Sequence, residues 1–183
     1  MSTRPGLTGF ILAGGKSARM GRDKALLDWH GRTLLDHMTH LISAVADKVH
    51  VVGRDPLPDR VPGLGPLSGI ATALETSSTD TNLVVAVDLP SLTEKFLQYL
   101  TSEAEQTSGP LTACKIGSHF PLCLVIHRRL LPEVQRRLAA RDLSVHALIE
   151  NVPSRLVSEQ ELLNAGFNAS LFRNINTEQD YLF

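Results

Sequence analysis

Short apolar runs alternate with amphipathic segments along the first half of the chain. Each run has the length and composition of a strand that is buried on both faces: residues 9–13, 49–53 and 83–87. Between these runs the residue pattern predicts one helix over 34–45 and another over 66–76. Strands that alternate with crossover helices form parallel sheets, because each helix packs back onto a sheet face. We therefore predict an α/β fold with three layers and a Rossmann-like, mostly parallel sheet.

The second half of the chain predicts a smaller antiparallel part. Residues 111–116 and 120–126 have strand character, and the turn residues Gly117 and Ser118 lie between them, as expected for a hairpin. Two helices and an edge strand complete the pattern, at residues 128–141, 144–150 and 155–157. No repeat or long linker interrupts this order, so we predict one domain over residues 1–183.

The composition excludes several classes of protein. The chain has 183 residues, 43% of them hydrophobic, which suits one globular core. Its formal net charge of -1 provides no global field for nucleic acid. The first apolar run is too short to span a membrane, and the two cysteines form neither a CxxC motif nor a disulfide framework. We expect a cytoplasmic protein that binds neither nucleic acid nor a membrane.

The segment from residue 10 to residue 26 contains the most informative chemistry. An apolar strand leads directly into Gly14 and Gly15, and three cations follow: Lys16, Arg19 and Lys24. Adjacent glycines let the backbone approach a ligand closely, and successive N–H groups can hold phosphate oxygens. The cations can then neutralise the charge of the phosphates. This combination predicts a nucleoside triphosphate site.

Two common phosphate motifs do not fit this segment. A P-loop requires Gly-x4-Gly-Lys-[Ser/Thr], but Phe10 stands five residues before Gly15. The dinucleotide fingerprint Gly-x-Gly-x-x-Gly is also absent, because the nearest run, residues 63–69, is one residue too long. In that run Pro66 also lacks an amide donor. The nucleotide site is therefore of another kind.

Three segments of the sequence are expected at one edge of the predicted sheet. Residues 12–24 follow the first strand, residues 53–69 follow the second, and Asp88 ends the third. Ligands of open α/β sheets bind at the carboxyl ends of the strands. Asp88 offers the hard oxygen that Mg2+ prefers, although a turn or capping role fits equally well from the residues alone. Asp59 follows a proline, which is also good turn chemistry.

The segment from residue 11 to residue 26 resembles the molybdenum cofactor guanylyltransferases, which transfer GMP from GTP to molybdopterin. The shared pattern is Leu-Ala-Gly-Gly-x-x-x-Arg-Met-Gly-x-Asp-Lys. Further matches follow in order and spacing over almost the whole chain: Asp59, Gly65-Pro66-Leu67 with Gly69, Val87-Asp88 with Pro90, and Asn174 to Thr177. One departure is Ser91-Leu92, where the family commonly has an apolar aromatic residue. It affects the expected packing near the acceptor.

The resemblance implies a role for each matched residue. Catalysis is assigned to Lys24, Arg19 and Asp88. GTP binding is assigned to Leu12, Ala13, Gly14, Gly15, Lys24, Asp59, Gly65 and Asp88. The Asp59 carboxylate would accept hydrogen bonds from N1–H and N2–H2 of guanine, and Asp88 would bind the cofactor Mg2+. Acceptor binding is assigned to Gly69, His119, Asn174 and Asn176.

The resemblance also implies the substrates GTP and molybdopterin, and transient contacts with other proteins of cofactor synthesis or with molybdoenzymes. One alternative is a cytidylyltransferase that acts on the same pterin or on another acceptor. Those relatives tend to carry Ala-Ala-Gly where this chain has Ala13-Gly14-Gly15, which favours GTP. A second alternative is a nucleotide-binding regulator without catalysis. The presence of both Lys24 and Asp88 argues against it.

Overall fold

The structure is a computed structural model that describes residues 6–14, 23–61 and 63–175. Its strands are β1 (Leu7–Leu12), β2 (Asp28–Trp29), β3 (Arg32–Thr33), β4 (Lys48–Val52), β5 (Thr81–Ala86), β6 (Leu111–Lys115), β7 (Cys123–His127) and β8 (Ser154–Ser158). Its α-helices are α1 (Leu34–Ser43), α2 (Pro66–Thr76), α3 (Glu94–Glu105), α4 (Leu131–Ala139), α5 (Val145–Asn151) and α6 (Glu159–Asn164). Short 3-10 helices cover Lys24–Leu26, Arg128–Leu130 and Ala169–Phe172.

Six strands form the main sheet, in the order β4-β1-β5-β7-β6-β8. Strands β4, β1 and β5 are parallel, whereas β7 runs antiparallel to both of its neighbours and β8 pairs in parallel with β6. The predicted mostly parallel sheet with one antiparallel part is therefore confirmed. Leu12 pairs with Val52 on one side and with Ala86 on the other, so the carboxyl ends of three strands are level at one edge.

Helices cover both faces of the sheet because the central strands are apolar on both sides. Phe10 and Ile11 are adjacent in β1, fully buried, and belong to different core clusters. Ile11 packs in the cluster of α1, α3 and α6, and Phe10 packs in the cluster of α2, α4 and α5. The three predicted layers are thus confirmed. No helix in the described ranges is long and apolar enough to cross a membrane.

Several element boundaries differ from the sequence prediction. The helix predicted over 128–141 divides into a 3-10 turn and α4, whose first turn accommodates Pro132. Helix α3 follows the cap residue Thr93, whose hydroxyl accepts from the amide of Phe96. Helix α6 was not predicted, although Ser158 and Glu161 form a complete capping box that marks its start.

Candidate active site

The loop after β1 begins between its two neighbouring strands. The amide of Ala13 donates to the carbonyl of Val52 (2.9 Å), and the amide of Val87 donates to the carbonyl of Leu12 (3.1 Å). These bonds continue the sheet pairing beyond the last residue of β1, so Gly14 emerges at the carboxyl edge of the sheet. Its backbone is exposed there, and a ligand can approach it.

Two glycines allow the loops after β1 and β4 to touch. Gly53 has a φ of 93°, and a Cβ at this position would lie 2.3 Å from the Cα of Gly14. A Cβ on Gly14 would in turn lie 2.8 Å from Oδ2 of Asp59. The Asp59 carboxylate is thus held directly beside the backbone of Gly14. Because a side chain at either glycine would collide with backbone or carboxylate atoms, this approach depends on the absence of a Cβ.

Gly69 lies beside Leu12 and Asp59. A Cβ at Gly69 would lie 3.1 Å from Cδ2 of Leu12 and 3.5 Å from Oδ1 of Asp59. Gly69 belongs to the first turn of α2, and this turn therefore packs against the same carboxylate as Gly14 does. The acceptor role of Gly69 stays a prediction, and the structure adds a contact with the Asp59 carboxylate.

The loop that carries Asp59 is attached to α2 on its carboxyl side. The amide of Arg60 donates to the hydroxyl of Thr72 (3.3 Å), and Nε of Arg60 lies 2.5 Å from Oε2 of Glu75. The hydroxyl of Ser68 donates to the carbonyl of Val61 (3.0 Å). Burial raises the pKa of the Asp59 carboxyl, because the charged form is partly desolvated. The loop therefore holds an acceptor group whose charge is only partly hydrated.

Lys24 and Asp88 meet at the same edge. Nζ of Lys24 lies 3.6 Å from Oδ2 of Asp88, and both side chains are about three-quarters buried. Lys24 begins a short 3-10 helix, and Asp23 caps this helix by accepting from the amide of Ala25 (3.1 Å). The pair thus joins the segment after β1 to the loop after β5.

The loop that contains Asp88 is held on both sides. The carbonyl of Asp88 accepts from the amide of Ile175 (2.9 Å), and Ile175 is buried, so the segment with Asn174 lies beside this loop. Two residues further along, the carbonyl of Pro90 accepts from Nε2 of His37 in α1 (2.9 Å). Burial lowers the pKa of His37 and so favours its neutral ring, which can donate this hydrogen bond from Nε2.

Arg54 lies at the same edge and was not predicted from the sequence. Its Nη2 donates to the carbonyl of Ala13 (3.1 Å) and to both carboxylate oxygens of Asp23 (2.9 Å each). The hydrogen bond from Arg54 lowers the pKa of the Asp23 carboxyl. An arginine placed directly after the Gly53 that ends the second predicted strand was the available signal.

The remaining predicted residues fall into two groups. His119 is exposed in the turn between β6 and β7, where its backbone exchanges two hydrogen bonds with Ile116. Strand β7 is antiparallel to both β5 and β6, so β5 and β6 run in the same direction. The turn after β6 therefore lies at the same edge of the sheet as Asp88. Gly65 has a φ of 70° and immediately precedes α2. The other residues lie outside the described ranges: Gly15, Lys16, Arg19 and Asn176.

The surroundings of Asp88 are compatible with a role of its carboxylate as a magnesium ligand. Within the described ranges no group of three or more His, Cys, Asp or Glu side chains forms a dedicated metal cage. Mg2+ at a nucleotide site does not need such a cage, because it keeps several waters and binds through one or two carboxylates plus substrate phosphates. A single, partly exposed carboxylate at the strand edge meets that requirement.

Comparison with known proteins identifies the family. Residues 9–156 match the MobA-like NTP transferase domain. A probable molybdenum cofactor guanylyltransferase from Carboxydothermus hydrogenoformans is 30% identical over 184 residues, which covers 96% of this chain and 93% of the relative. The molybdenum cofactor guanylyltransferase from Syntrophotalea carbinolica is also 30% identical over 184 residues, with 93% and 87% covered.

A solved structure supports the fold independently. Molybdopterin-guanine dinucleotide biosynthesis protein A from Archaeoglobus fulgidus superposes with a TM-score of 0.82 at 21% identity, over 96% of this chain and 95% of that chain. At this identity the likeness concerns the fold alone. The family match and the relatives at 30% identity go further: this chain belongs to the MobA-like NTP transferases and is a nucleotidyltransferase.

Proposed function

We propose that this chain transfers GMP from GTP to the terminal phosphate of molybdopterin and releases pyrophosphate. The observation that carries the proposal is that two features lie along one edge of the sheet. One is a carboxylate held beside a glycine backbone, and the other is a lysine–carboxylate pair. Asp59 lies beside Gly14, and Lys24 lies 3.6 Å from Asp88. The first pair suits a guanine base, and the second suits a triphosphate. The relatives named as guanylyltransferases support the same reaction.

Base recognition is assigned to Asp59. Guanine presents N1–H and N2–H2 as adjacent donors, and one carboxylate can accept from both, whereas cytosine and adenine lack this donor pair. Charge-assisted hydrogen bonds of this kind are stronger than neutral ones. The backbone of Leu12 and Ala13 lies at the start of the same loop and can share in nucleotide contacts.

The chemistry needs charge stabilisation rather than a general base. The nucleophile is a phosphate oxygen of the acceptor, which is already anionic at neutral pH. Lys24 would bind the triphosphate, and Asp88 would hold Mg2+, which supplies charge neutralisation for the phosphates when bound. In-line positioning of the two substrates accounts for the remainder of the rate. Asn174, Asn176, His119 and Gly69 are assigned to the acceptor side, and Gly69 also borders the Asp59 carboxylate.

A nucleotide panel tests the proposed substrate. We expect GTP with Mg2+ to raise the melting temperature of the protein far more than CTP or ATP does, since ligand that binds the folded state stabilises it. Pyrophosphate release in the presence of molybdopterin should show the same order. Efficient CMP transfer from CTP without use of GTP would replace this proposal with a cytidylyltransferase.

Replacement of Asp59 by Ala should reduce the preference for GTP. The loss of two charge-assisted bonds should cost roughly 1–3 kcal/mol of discrimination, while the phosphate contacts remain. Relative affinities for GTP and CTP, measured by calorimetry, give this quantity. Asp80→Ala is the matched control, because Asp80 is exposed at the opposite edge, just before β5. An unchanged GTP preference in Asp59→Ala would remove Asp59 from base recognition.

The raised pKa of Asp59 predicts a pH dependence of guanine binding. Only the ionised carboxylate accepts from both guanine donors, and burial shifts its protonation to a higher pH than usual. The ratio of GTP affinity to CTP affinity should therefore fall as pH decreases, starting above the range of an ordinary aspartate. Using a ratio cancels most of the titration of the triphosphate. In Asp59→Ala the ratio should be flat, and a wild-type slope in that variant would contradict the assignment.

A further inference from the structure

We propose that Arg54 is a positioning residue that holds Lys24 where its ammonium group can bind the triphosphate. Arg54 follows β4 and lies on a different loop from the phosphate-binding residues. It nevertheless bonds to the chain on both sides of residues 15–22, at Ala13 and at Asp23. The inference rests on the proposed function, because Lys24 is the proposed phosphate ligand.

The contacts of Arg54 originate from one nitrogen. Nη2 carries two hydrogens, and it donates to the carbonyl of Ala13 at 3.1 Å and to the carboxylate of Asp23 at 2.9 Å. Ala13 is itself fixed, because its amide donates to the carbonyl of Val52 in the sheet. Arg54 therefore links Asp23 to the end of β1, which the sheet hydrogen bonds hold in place.

Asp23 in turn fixes the backbone at Lys24. Its Oδ1 accepts from Arg54 and also from the amide of Ala25, which caps the short helix that begins at Lys24. The helix in turn brings Nζ of Lys24 to 3.6 Å from Oδ2 of Asp88. A continuous set of contacts thus runs from Arg54 through Asp23 to the lysine–carboxylate pair.

The arrangement suits placement better than stabilisation. The side chains of Arg54 and Asp23 are 24% and 43% exposed, and ion pairs with that much solvent contribute about 0–1 kcal/mol to stability. A displacement of about 1 Å in a reacting group, by contrast, can reduce a rate by about a hundredfold. Arginine is also better suited than lysine here, because its planar guanidinium fixes the direction of each hydrogen bond.

The test compares Arg54→Ala, Asp23→Ala and the double variant with wild type. We expect each single variant to lower kcat by about 10- to 100-fold, with a loss of melting temperature below about 5 °C. The double variant should be no slower than the slower single variant, because both changes remove the same link. Arg54→Lys should recover part of the loss. Arg136→Ala is the matched control: it removes an exposed arginine–carboxylate pair in α4 and should leave kcat unchanged.

Three outcomes would overturn the inference. The first is wild-type kcat in Arg54→Ala, and the second is a multiplicative loss in the double variant. The third is a loss in Arg54→Ala that Asp23→Ala does not reproduce, which would place Arg54 directly on the substrate. All rates are measured with the nucleotide that the wild-type enzyme prefers. A failure of the guanine assignment would then appear in the wild-type panel alone, and the Arg54 comparison would still be decided.

Discussion

Replacement of Asp88 by Asn should reduce turnover by about a hundredfold or more at saturating GTP. The carboxylate lies at the carboxyl end of β5, where it would hold the metal that offsets the charge of the reacting phosphates. Loss of one charged ligand from such a site typically costs several kcal/mol of transition-state stabilisation. Pyrophosphate release over a series of Mg2+ concentrations measures the effect, and the Mg2+ concentration for half-maximal rate should rise.

The amide preserves the shape of the site, so folding should not change. The carbonyl that accepts from Ile175 belongs to the backbone and is retained in the variant. Asp80→Asn is the matched control and should behave as wild type, because Asp80 is exposed at the opposite edge of the sheet. Near-normal turnover of Asp88→Asn with Mg2+ would remove Asp88 from the mechanism.

Replacement of Lys24 by Ala should cost roughly 2–4 kcal/mol of transition-state stabilisation, measured as the change in kcat/KM. Its ammonium group lies within 3.6 Å of Asp88, where the triphosphate is proposed to bind. Lys16→Ala should cost less, because Lys16 occupies a variable position of the matched pattern. Lys48→Ala is a second control, since Lys48 is exposed at the start of β4. Equal losses for Lys24 and Lys16 would contradict the proposed alignment with the family.

A double variant separates two explanations for Asp88. If Asp88 serves only to orient Lys24, then Asp88→Asn should add nothing to the effect of Lys24→Ala. If Asp88 binds the metal independently, the two losses should multiply, apart from a coupling expected between groups 3.6 Å apart. We expect the second result. Kinetics of the two single variants and the double variant under identical Mg2+ decide between them.

The sequence predicted the parts of the site that depend on local patterns. The apolar runs placed β1, β4 and β5, and the rule for open sheets then placed Gly14 and Asp88 at one edge. Pro66 marked the start of α2 correctly, because its missing amide is harmless in a first turn. The antiparallel hairpin of β6 and β7 was likewise confirmed, since the turn residues Gly117 and Ser118 identify it locally.

The contacts between loops could not be predicted in this way. Arg54 is separated from Ala13 and Asp23 by the short 3-10 helix, by α1 and by strands β2, β3 and β4, and no local pattern couples them. The packing of Gly69 against Asp59 depends on how the loop of Asp59 folds back onto α2, and Pro58-Asp59 gives only a turn signal. Side-chain contacts across loops of this kind are set by tertiary structure. The sequence therefore indicated the chemical groups of the site better than the contacts between its loops.

The bond between Ile175 and Asp88 has a consequence for synthesis on the ribosome. All residues proposed for guanine and phosphate binding precede β6, whereas the amide that fixes the Asp88 carbonyl belongs to Ile175. At a translation rate of about 5–20 residues per second, the ribosome adds Ile175 roughly 5–20 s after Asp88. During this interval the nascent chain contains the residues proposed to bind the nucleotide, but it lacks the hydrogen bond from Ile175 to the Asp88 carbonyl. The Asp88 carbonyl therefore acquires this hydrogen bond only after Ile175 has been synthesised.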